Sequence, residues 1–541
     1  MKIIGLLLCT LLLPPAAAAQ QPTVQQPPPG TPTLKINSAL VFLDATVVDK
    51  KGNPVTTGLT KDDFTITEDG KPQRIFSFEA PQEHVAGANG ASAEGQAPLT
   101  VFVLDLLNSS FEDIAYIRYE MKQYLDAQPE ELESPAEMMV IGDQSLEMIQ
   151  GDTRSKADLL YALAHIPTVL PFKYTRGAFF WERFVQSMDA LQQIALQNHG
   201  IPGRKNVIWV GHGGPNVNLL ASILTSHDIE ALKDYVHQTT NLMVDARVSL
   251  FVIYPGLKVG APGFQYSALQ ADADLGNDDP FAGEINFGVM VNATGGKLYF
   301  NRNDVDREIA KSEELGADYY TLTYQPHNFE QDGKFRRIRV TLKNPSLRVV
   351  TKTGYYAGEK NEKVHPRRQA LIRLAEASVA TIPFSSLGVS LSKPVRHPDT
   401  RSVEFNVALG SKGLNWLPAQ DGKMMADLSV AATSLDDNRA VLASKIEKAT
   451  LVTGADGVNN LPEIASRFSV IVRLPRNTKC VRVAIEDEDR GRIGSAELDR
   501  KTINAAPEAP TPPPALMPHA PAPPQSGQTQ PTPQTTGPSH H

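Results

Sequence analysis

One apolar run constrains the fold more than any other part of this 541-residue chain. Residues 99–104 are largely apolar, and the run ends in a carboxylate, Asp105, followed closely by Asn108, Ser109 and Ser110. A run of this kind, bounded by turn-forming residues, is typical of a strand that is buried on both faces of a helix-covered parallel sheet. Ligands bind such sheets at the carboxyl ends of the strands, so Asp105 is predicted to lie where the domain acts.

The charge composition argues against two kinds of partner, nucleic acids and anionic membranes. The formal net charge is -8 at pH 7, which argues against a nucleic-acid partner or an anionic membrane surface. The sequence also contains no basic tract interleaved with aromatic residues, a pattern typical of nucleic-acid binding.

The amino terminus has the pattern of a secretory signal peptide. Lys2 precedes an apolar run over 3–13, and small residues follow, which predicts a signal peptide over 1–19. No other segment reaches the roughly 18 apolar residues that a membrane span requires. Cleavage would leave Cys480 as the single cysteine and hence no internal disulfide. We therefore expect a protein exported through the secretory pathway to the periplasm, the cell surface or the medium.

Periodicity predicts the elements around Asp105 and divides the rest of the chain. It predicts a strand over 99–107, a helix over 110–127 with Ser110 as its N-cap, and two short strands over 138–143 and 146–150. A segment in which strands alternate with helices is flanked on both sides by alternating strand patterns, which predicts an α/β domain inserted in a β-sandwich formed by the two flanks. A further set of strand patterns predicts a second β-sandwich. The predicted divisions are a disordered linker (20–34), an N-terminal β module (35–80), a linker (81–97), the α/β domain (98–325), the return strands of the β module (326–357), a connector (358–385), the C-terminal β-sandwich (386–500) and a Pro-rich disordered tail (501–541).

Four stretches in a fixed order carry a family resemblance. They are VVDKKGNPVTTGLTKDDFTITEDGKPQRIFSF, PLTVFVLDLLNSS, ATGGKLYF and DYYTLTYQPHNFEQDGKFRRIRVTLKNPSLRVVTKTGYYAG, and together they span about residues 35–357. The chain resembles the secreted bacterial proteins classed as VWFA-related, best known from acidobacteria. The resemblance implies a Rossmann-like von Willebrand factor A (VWA) domain flanked by a β-sandwich module, with an immunoglobulin- or fibronectin-like β-sandwich after it. VWA domains usually bind a partner through a divalent metal ion at the carboxyl ends of the strands.

The resemblance also implies a set of metal ligands. The family pattern is Asp-x-Ser-x-Ser after the first strand, a threonine from a later loop and an aspartate after the fourth strand. Asp105 and Ser109 match the ends of the first motif, and Thr175 matches the loop threonine. Leu107 replaces the middle serine, and His212 stands where the aspartate is typical. Because two of the five positions lack a suitable oxygen, we expect a degenerate metal site.

Three interpretations of Asp105 remain open at this stage. In the first, Asp105 caps the following helix or pairs with a neighbouring donor, and no metal binds. In the second, Mg²⁺ binds despite the lost ligands. In the third, His212 lies beside Asp105, and the carboxylate, imidazole and hydroxyl hold Zn²⁺ or Mn²⁺.

The sequence favours binding over catalysis. It contains no G-x-S-x-G, H-E-x-x-H, Walker or C-x-x-C motif. We therefore expect a non-enzymatic VWA-type binding, adhesion or scaffold protein with no required cofactor and an unidentified extracytoplasmic protein as its partner. The alternatives are a metal-dependent ligand-binding VWA domain, an envelope hydrolase and a purely structural spacer. The predicted partner contacts are Asn108, Ser110, Gly213 and Asn216.

Overall fold

The computed structural model describes most of the chain. The described residues are 40–84, 98–143, 145–166, 179–219, 224–255, 279–358, 366–419, 422–454 and 463–509. The predicted signal peptide and first linker lie outside these ranges, as does Thr175. Within them the chain forms several β-sheets and a smaller number of helices.

The elements follow in chain order. The first strands are β1 (Val41–Val48), β2 (Phe64–Glu68), β3 (Lys71–Gln73) and β4 (Ile75–Glu79). The middle of the chain forms β5 (Leu99–Asp105), α1 (Phe111–Asp126), β6 (Glu131–Ile141), β7 (Leu146–Ser155), α2 (Lys156–Ala164), α3 (Phe180–Gln197), β8 (Lys205–Val210), β9 (Val217–Asn218), α4 (Ser226–Asp245), β10 (Val248–Pro255), β11 (Glu284–Ile285), α5 (Phe287–Thr294), β12 (Leu298–Arg302) and α6 (Val305–Ala317). The remaining elements are β13 (Tyr320–Tyr324), β14 (Phe335–Leu342), β15 (Arg348–Val350), β16 (Gly354–Tyr356), α7 (Pro366–Val379), β17 (Val389–His397), β18 (Ser402–Gly410), β19 (Leu417–Pro418), β20 (Lys423–Leu435), β21 (Val441–Gly454), β22 (Ile464–Arg473), β23 (Cys480–Asp487), β24 (Ile493–Asp499) and α8 (Arg500–Ala505).

A six-stranded sheet carries Asp105. Its strand order is β12-β10-β8-β5-β6-β7, and all neighbours are parallel except β6 and β7. The expectation of a wholly parallel sheet is therefore wrong at one edge. Strands β6 and β7 form an antiparallel hairpin. The predicted short strands over 138–143 and 146–150 correspond to the end of β6 and the start of β7, and both observed strands are longer.

Helices cover both faces of this sheet. Because side chains alternate along a strand, Val101 and Val103 of β5 pack with α3, α4, α5 and α7, whereas Phe102 and Leu104 pack with α1, α2 and α6. All four side chains are buried, which is why the sequence of β5 is apolar throughout rather than alternating.

The two flanks of the α/β segment are hydrogen-bonded to one another. Strand β13 lies between β1 and β4, and β14 lies between β2 and β16, so each of two antiparallel sheets combines strands from both flanks. Their apolar side chains form one core that includes Leu43, Ile66 and Leu322.

The last part of the chain forms two further antiparallel sheets around another core. Helix α7 lies in the predicted connector, and its Leu374 and Ala377 are buried in a core that combines side chains of the α/β segment with Ala431 of β20 and Ala484 of β23. The disordered tail was predicted to begin at residue 501, which is too early. Residues 500–505 form α8, and its Ile503 packs in the core of the last sheets. The predicted linker over 81–97 begins with a short 3₁₀ helix, Pro81–Glu83. No described helix is sufficiently long and apolar to cross a membrane.

A buried carboxylate in β6 makes the stability of the fold depend on pH. Glu137 is 2% exposed, and Nε2 of Gln197 donates to its two oxygens at 3.1 and 3.2 Å. Burial, together with the charge of Asp152, raises the pKa of Glu137 from 4.5 to about 8.

Replacing Glu137 with glutamine should remove this pH dependence. The folded state of the wild type binds a proton that the unfolded state releases, so its free energy of unfolding should fall by roughly 1.4 kcal/mol per pH unit as pH rises through the window from 4.5 to about 8. Urea denaturation of both proteins across this window measures the effect. Parallel pH profiles for the wild type and Glu137→Gln would contradict it.

Candidate functional site

The carboxyl ends of β5 and β8 meet at one edge of the six-stranded sheet. The two strands are parallel neighbours, and Leu104 pairs with Val210. Asp105 therefore lies next to the turn that begins at Gly211. This edge, with the residues that follow β5, β8, β10 and β12 and the start of helices α1 and α3, is called the rim below.

Asp105 is fully buried and surrounded by N–H donors. The backbone N–H of Asn108 donates to Oδ1 at 2.8 Å, and the side-chain Nδ2 of Asn108 lies 3.2 Å from both oxygens. The indole Nε1 of Trp209 and the backbone N–H of Gly213 donate to Oδ2 at 3.0 and 2.8 Å. Burial raises the pKa of Asp105, and the donors of Asn108 and Trp209 oppose this shift. Both carboxylate oxygens therefore accept hydrogen bonds, and these bonds join the loop after β5, the end of β8 and the turn after β8.

Gly211 is required at this junction. Its φ of +142° lies in the region that favours glycine, and a Cβ there would stand 2.4 Å from Cβ of Asp105 and 3.0 Å from Oγ of Ser109. Any larger residue would therefore push the β8 turn away from Asp105.

Two side-chain oxygens in the loop directly after β5 are buried without a hydrogen-bond partner. They are Oδ1 of Asn108 and Oγ of Ser109. The amide of Asn108 also donates to Oγ of Ser187 in α3 at 3.2 Å, which ties that helix to the same loop. Leu107, at the middle position of the serine motif, is buried in the apolar core.

His212 has a different partner from the one considered in the sequence. Its Nε2 lies 3.2 Å from Oδ2 of Asp113, and its ring meets the edge of Tyr254 at 5.8 Å between centroids. Asp113 also completes a capping box with Ser110, the predicted N-cap of α1. Although burial alone would raise the pKa of Asp113, the hydrogen bonds from His212 and Ser110 lower it. The imidazole thus pairs with Asp113, whereas Asp105 is contacted by the neighbouring Gly213.

Asn216 belongs to the second part of the β8 turn. Its Nδ2 donates to Oε1 of Glu284, beside the short pairing of β9 with β11. The predicted contacts Asn108, Ser110, Gly213 and Asn216 therefore all lie on loops of the rim, but Asn108 and Gly213 are buried.

The described residues around Asp105 do not make a metal site as they stand. A cation at Asp105 would have to displace N–H donors from both oxygens, and Asn108 and Ser109 add only two unpaired oxygens. Mg²⁺ requires a near-octahedral set of oxygens. Within the described ranges, no group of three or more His, Cys, Asp or Glu side chains is arranged to hold a metal ion.

The rim exposes large aromatic side chains that the sequence did not single out. Phe111 at the start of α1 is 61% exposed, Trp181 at the start of α3 is 41% exposed and Phe300 of β12 is 39% exposed. The ring of Phe300 contacts Tyr254, the same ring that meets His212. Phe300 is thus connected to His212 through Tyr254, and Phe111 lies two residues before Asp113 in α1. Only Phe111 could have been found from the sequence, because it directly follows the N-cap Ser110 and so lies in the first turn of the helix, which faces solvent.

Comparisons with known proteins add little to this geometry. No protein-family model matches the sequence, and no curated protein matches it. Among solved structures, the chain is similar to the VWA domain of SpRpn10, with 16% identity over 32% of this chain and 79% of that chain and a TM-score of 0.17. It is also similar to a point mutant of the PilB minor pilin from Streptococcus sanguinis, with 10% identity over 52% of this chain and 88% of that chain and a TM-score of 0.26. Similarities this weak carry no argument about function.

Proposed function

We propose that this protein is an exported, non-enzymatic binding protein of the VWA type that holds an extracytoplasmic protein partner at the rim. The observation that carries the proposal is the exposure of Phe111, Trp181 and Phe300 around this edge of the sheet. Aromatic side chains are enriched at protein interfaces and dominate their binding energy, because they bury a large apolar area with few rotatable bonds.

The hydrogen bonds of Asp105 support this proposal. The hydrogen bonds of Asp105 to Asn108, Trp209 and Gly213 fix the loops after β5 and β8 relative to one another. The amide of Asn108 extends this connection to α3, the helix that carries Trp181. A surface that is held in one conformation before binding loses less entropy when a partner docks.

We further propose that binding needs no metal ion, because the oxygens of Asp105 are already hydrogen-bonded. The second candidate is metal-dependent binding, and it is favoured by the unpaired oxygens of Asn108 and Ser109. Capture in the presence and absence of a chelator separates the two candidates. A partner that is released by the chelator would support the second.

Truncating Phe111 or Phe300 to alanine should weaken capture of the envelope partner. We expect a loss of about 1–2 kcal/mol for each, or roughly 5- to 30-fold in affinity, because each removes an exposed aromatic anchor. Quantitative capture from an envelope extract, followed by titration of the purified partner, measures the loss. Phe76→Ala is the matched control, since Phe76 is 70% exposed in β4 of the N-terminal sheets. Equal capture by all three variants would place the interface elsewhere on the molecule.

A further inference from the structure

The strand β21 forms an open edge of the last part of the chain. It has 14 residues and pairs along its length with β20, from Val441 opposite Leu435 to Gly454 opposite Lys423. Among the described residues, no strand pairs with its other edge. A long open edge presents unpaired backbone N–H and C=O groups, which another strand can join.

The side chains of β21 do little to block such pairing. Ile446 is 49% exposed and Val452 is 58% exposed, and both lie on the same face of the strand. On the opposite face, Ala449 and Leu451 pack against the apolar core, and Lys445 and Glu447 form an ion pair at 2.7 Å with both side chains about half exposed. The edge is therefore long and partly apolar, and it carries two positive charges, Lys445 and Lys448, and one negative charge, Glu447.

The order of these side chains is self-complementary around Ile446. When two copies of β21 run antiparallel with Ile446 opposite Ile446, Lys445 of each copy faces Glu447 of the other. The same register places Lys448 opposite Ser444, so like charges do not meet. Cross-strand pairs of opposite charge stabilise antiparallel strands.

Neighbouring registers lack this complementarity. In an antiparallel pair, facing residues must lie on the same side of the sheet, so a symmetric register is centred on a residue and moves in single-residue steps. Centring on Lys445 brings two lysines face to face, and centring on Glu447 brings two glutamates face to face. Like charges directly opposite are destabilising. Among the registers centred on residues 445 to 448, the pattern therefore favours the one centred on Ile446, and it favours a second copy of the same strand as the partner.

We propose that two copies of this protein associate through β21, which joins their last sheets into one continuous antiparallel sheet with Ile446 on the two-fold axis. Each copy supplies Lys445 and Glu447, and the four side chains form a ring of alternating charge. Self-association of this kind is isologous, because the same surface is used on both subunits. Association through β21 does not use the rim of the six-stranded sheet, so the rim of each subunit can still bind a partner.

Charge reversal tests the register in the full-length mature protein. The wild type should be a dimer in sedimentation equilibrium. Lys445→Glu and Glu447→Lys each replace two attractive pairs by two repulsive ones, so each should raise the dimer dissociation constant about tenfold. The double variant Lys445→Glu/Glu447→Lys restores opposite charges across the axis and should return the dissociation constant to within about threefold of the wild type. Circular dichroism spectra that match the wild type and a cooperative melting transition establish that the variants are folded.

A cysteine at the axis gives a second readout. Directly opposed residues in an antiparallel pair have Cα atoms about 4.5–5.5 Å apart, within the range that a disulfide spans. Ile446→Cys should therefore form a disulfide-linked dimer under mild oxidation, whereas Val441→Cys, which would face Leu451, should not. The native Cys480 is buried. A monomeric wild type, a dimer that is indifferent to both charge reversals, or equal cross-linking at 441 and 446 would overturn the proposal.

Discussion

Replacing Arg247 with alanine is expected to lower the free energy of unfolding by about 3–5 kcal/mol, because it takes from a buried carboxylate the guanidinium that is hydrogen-bonded to it. Nε of Arg247 donates to Oδ2 of Asp44 at 3.0 Å, and Nη2 donates to the same carboxylate and to Oγ1 of Thr321. The side chain of Asp44 is only 9% exposed. Burial is the largest single influence and would raise the pKa of Asp44, but the charge and hydrogen bond of Arg247, together with the charges of Arg204 and Lys352, lower that pKa.

The size of the effect follows from where the pair lies. Asp44 belongs to β1 of the N-terminal sheets, and Arg247 precedes β10 of the six-stranded sheet, 203 residues later in the sequence. The ion pair therefore joins the two flanks to the segment between them. Urea denaturation measures the loss, and Lys122→Ala is the matched control, because Lys122 forms an exposed pair with Asp126 and its loss should cost less than about 1 kcal/mol.

A charge-free double variant separates the desolvation cost from simple loss of contacts. Asp44→Leu combined with Arg247→Met removes both charges and keeps apolar volume, so it should recover much of the stability that Arg247→Ala loses. A loss below about 1 kcal/mol for Arg247→Ala would contradict the proposed role of the pair.

Local sequence patterns predicted the elements around the rim. The apolar run predicted a strand over 99–107, and the strand is Leu99–Asp105. The apolar spacing together with Ser110 predicted a helix over 110–127, and the helix is Phe111–Asp126 with Ser110 as its N-cap. These predictions succeeded because they depend only on local signals. The burial of a short segment and the contacts between residues up to four positions apart can both be inferred from neighbouring residues in the sequence.

The partners of the charged residues were not predictable in this way. Nothing near Arg247 in the sequence indicates Asp44, and nothing near His212 indicates Asp113, because each pair is brought together only by the packing of distant elements. The same holds for Trp209, which reads as one more apolar residue of β8 but donates its indole N–H to Asp105.

Truncating Asp105 to alanine should cost at least about 3 kcal/mol of unfolding free energy. The backbone N–H groups of Asn108 and Gly213 and the indole N–H of Trp209 would lose their acceptor in a buried site, and each unsatisfied buried donor costs about 1–3 kcal/mol. Urea denaturation measures the loss. Asp234→Ala in α4 is the matched control, since Asp234 is exposed and its truncation should change stability by less than about 0.5 kcal/mol.

The same variant distinguishes a structural carboxylate from a metal ligand. If Asp105 serves to join the rim loops, the wild type should unfold at the same urea concentration with Mg²⁺ and with chelator, and Asp105→Ala should be equally destabilised in both. If it serves as a metal ligand, Mg²⁺ should stabilise the wild type by mass action and leave Asp105→Ala unaffected. Because four N–H donors occupy both oxygens, we expect the first result. A Mg²⁺-dependent gain in stability that disappears in Asp105→Ala would instead restore the metal-dependent interpretation of the rim.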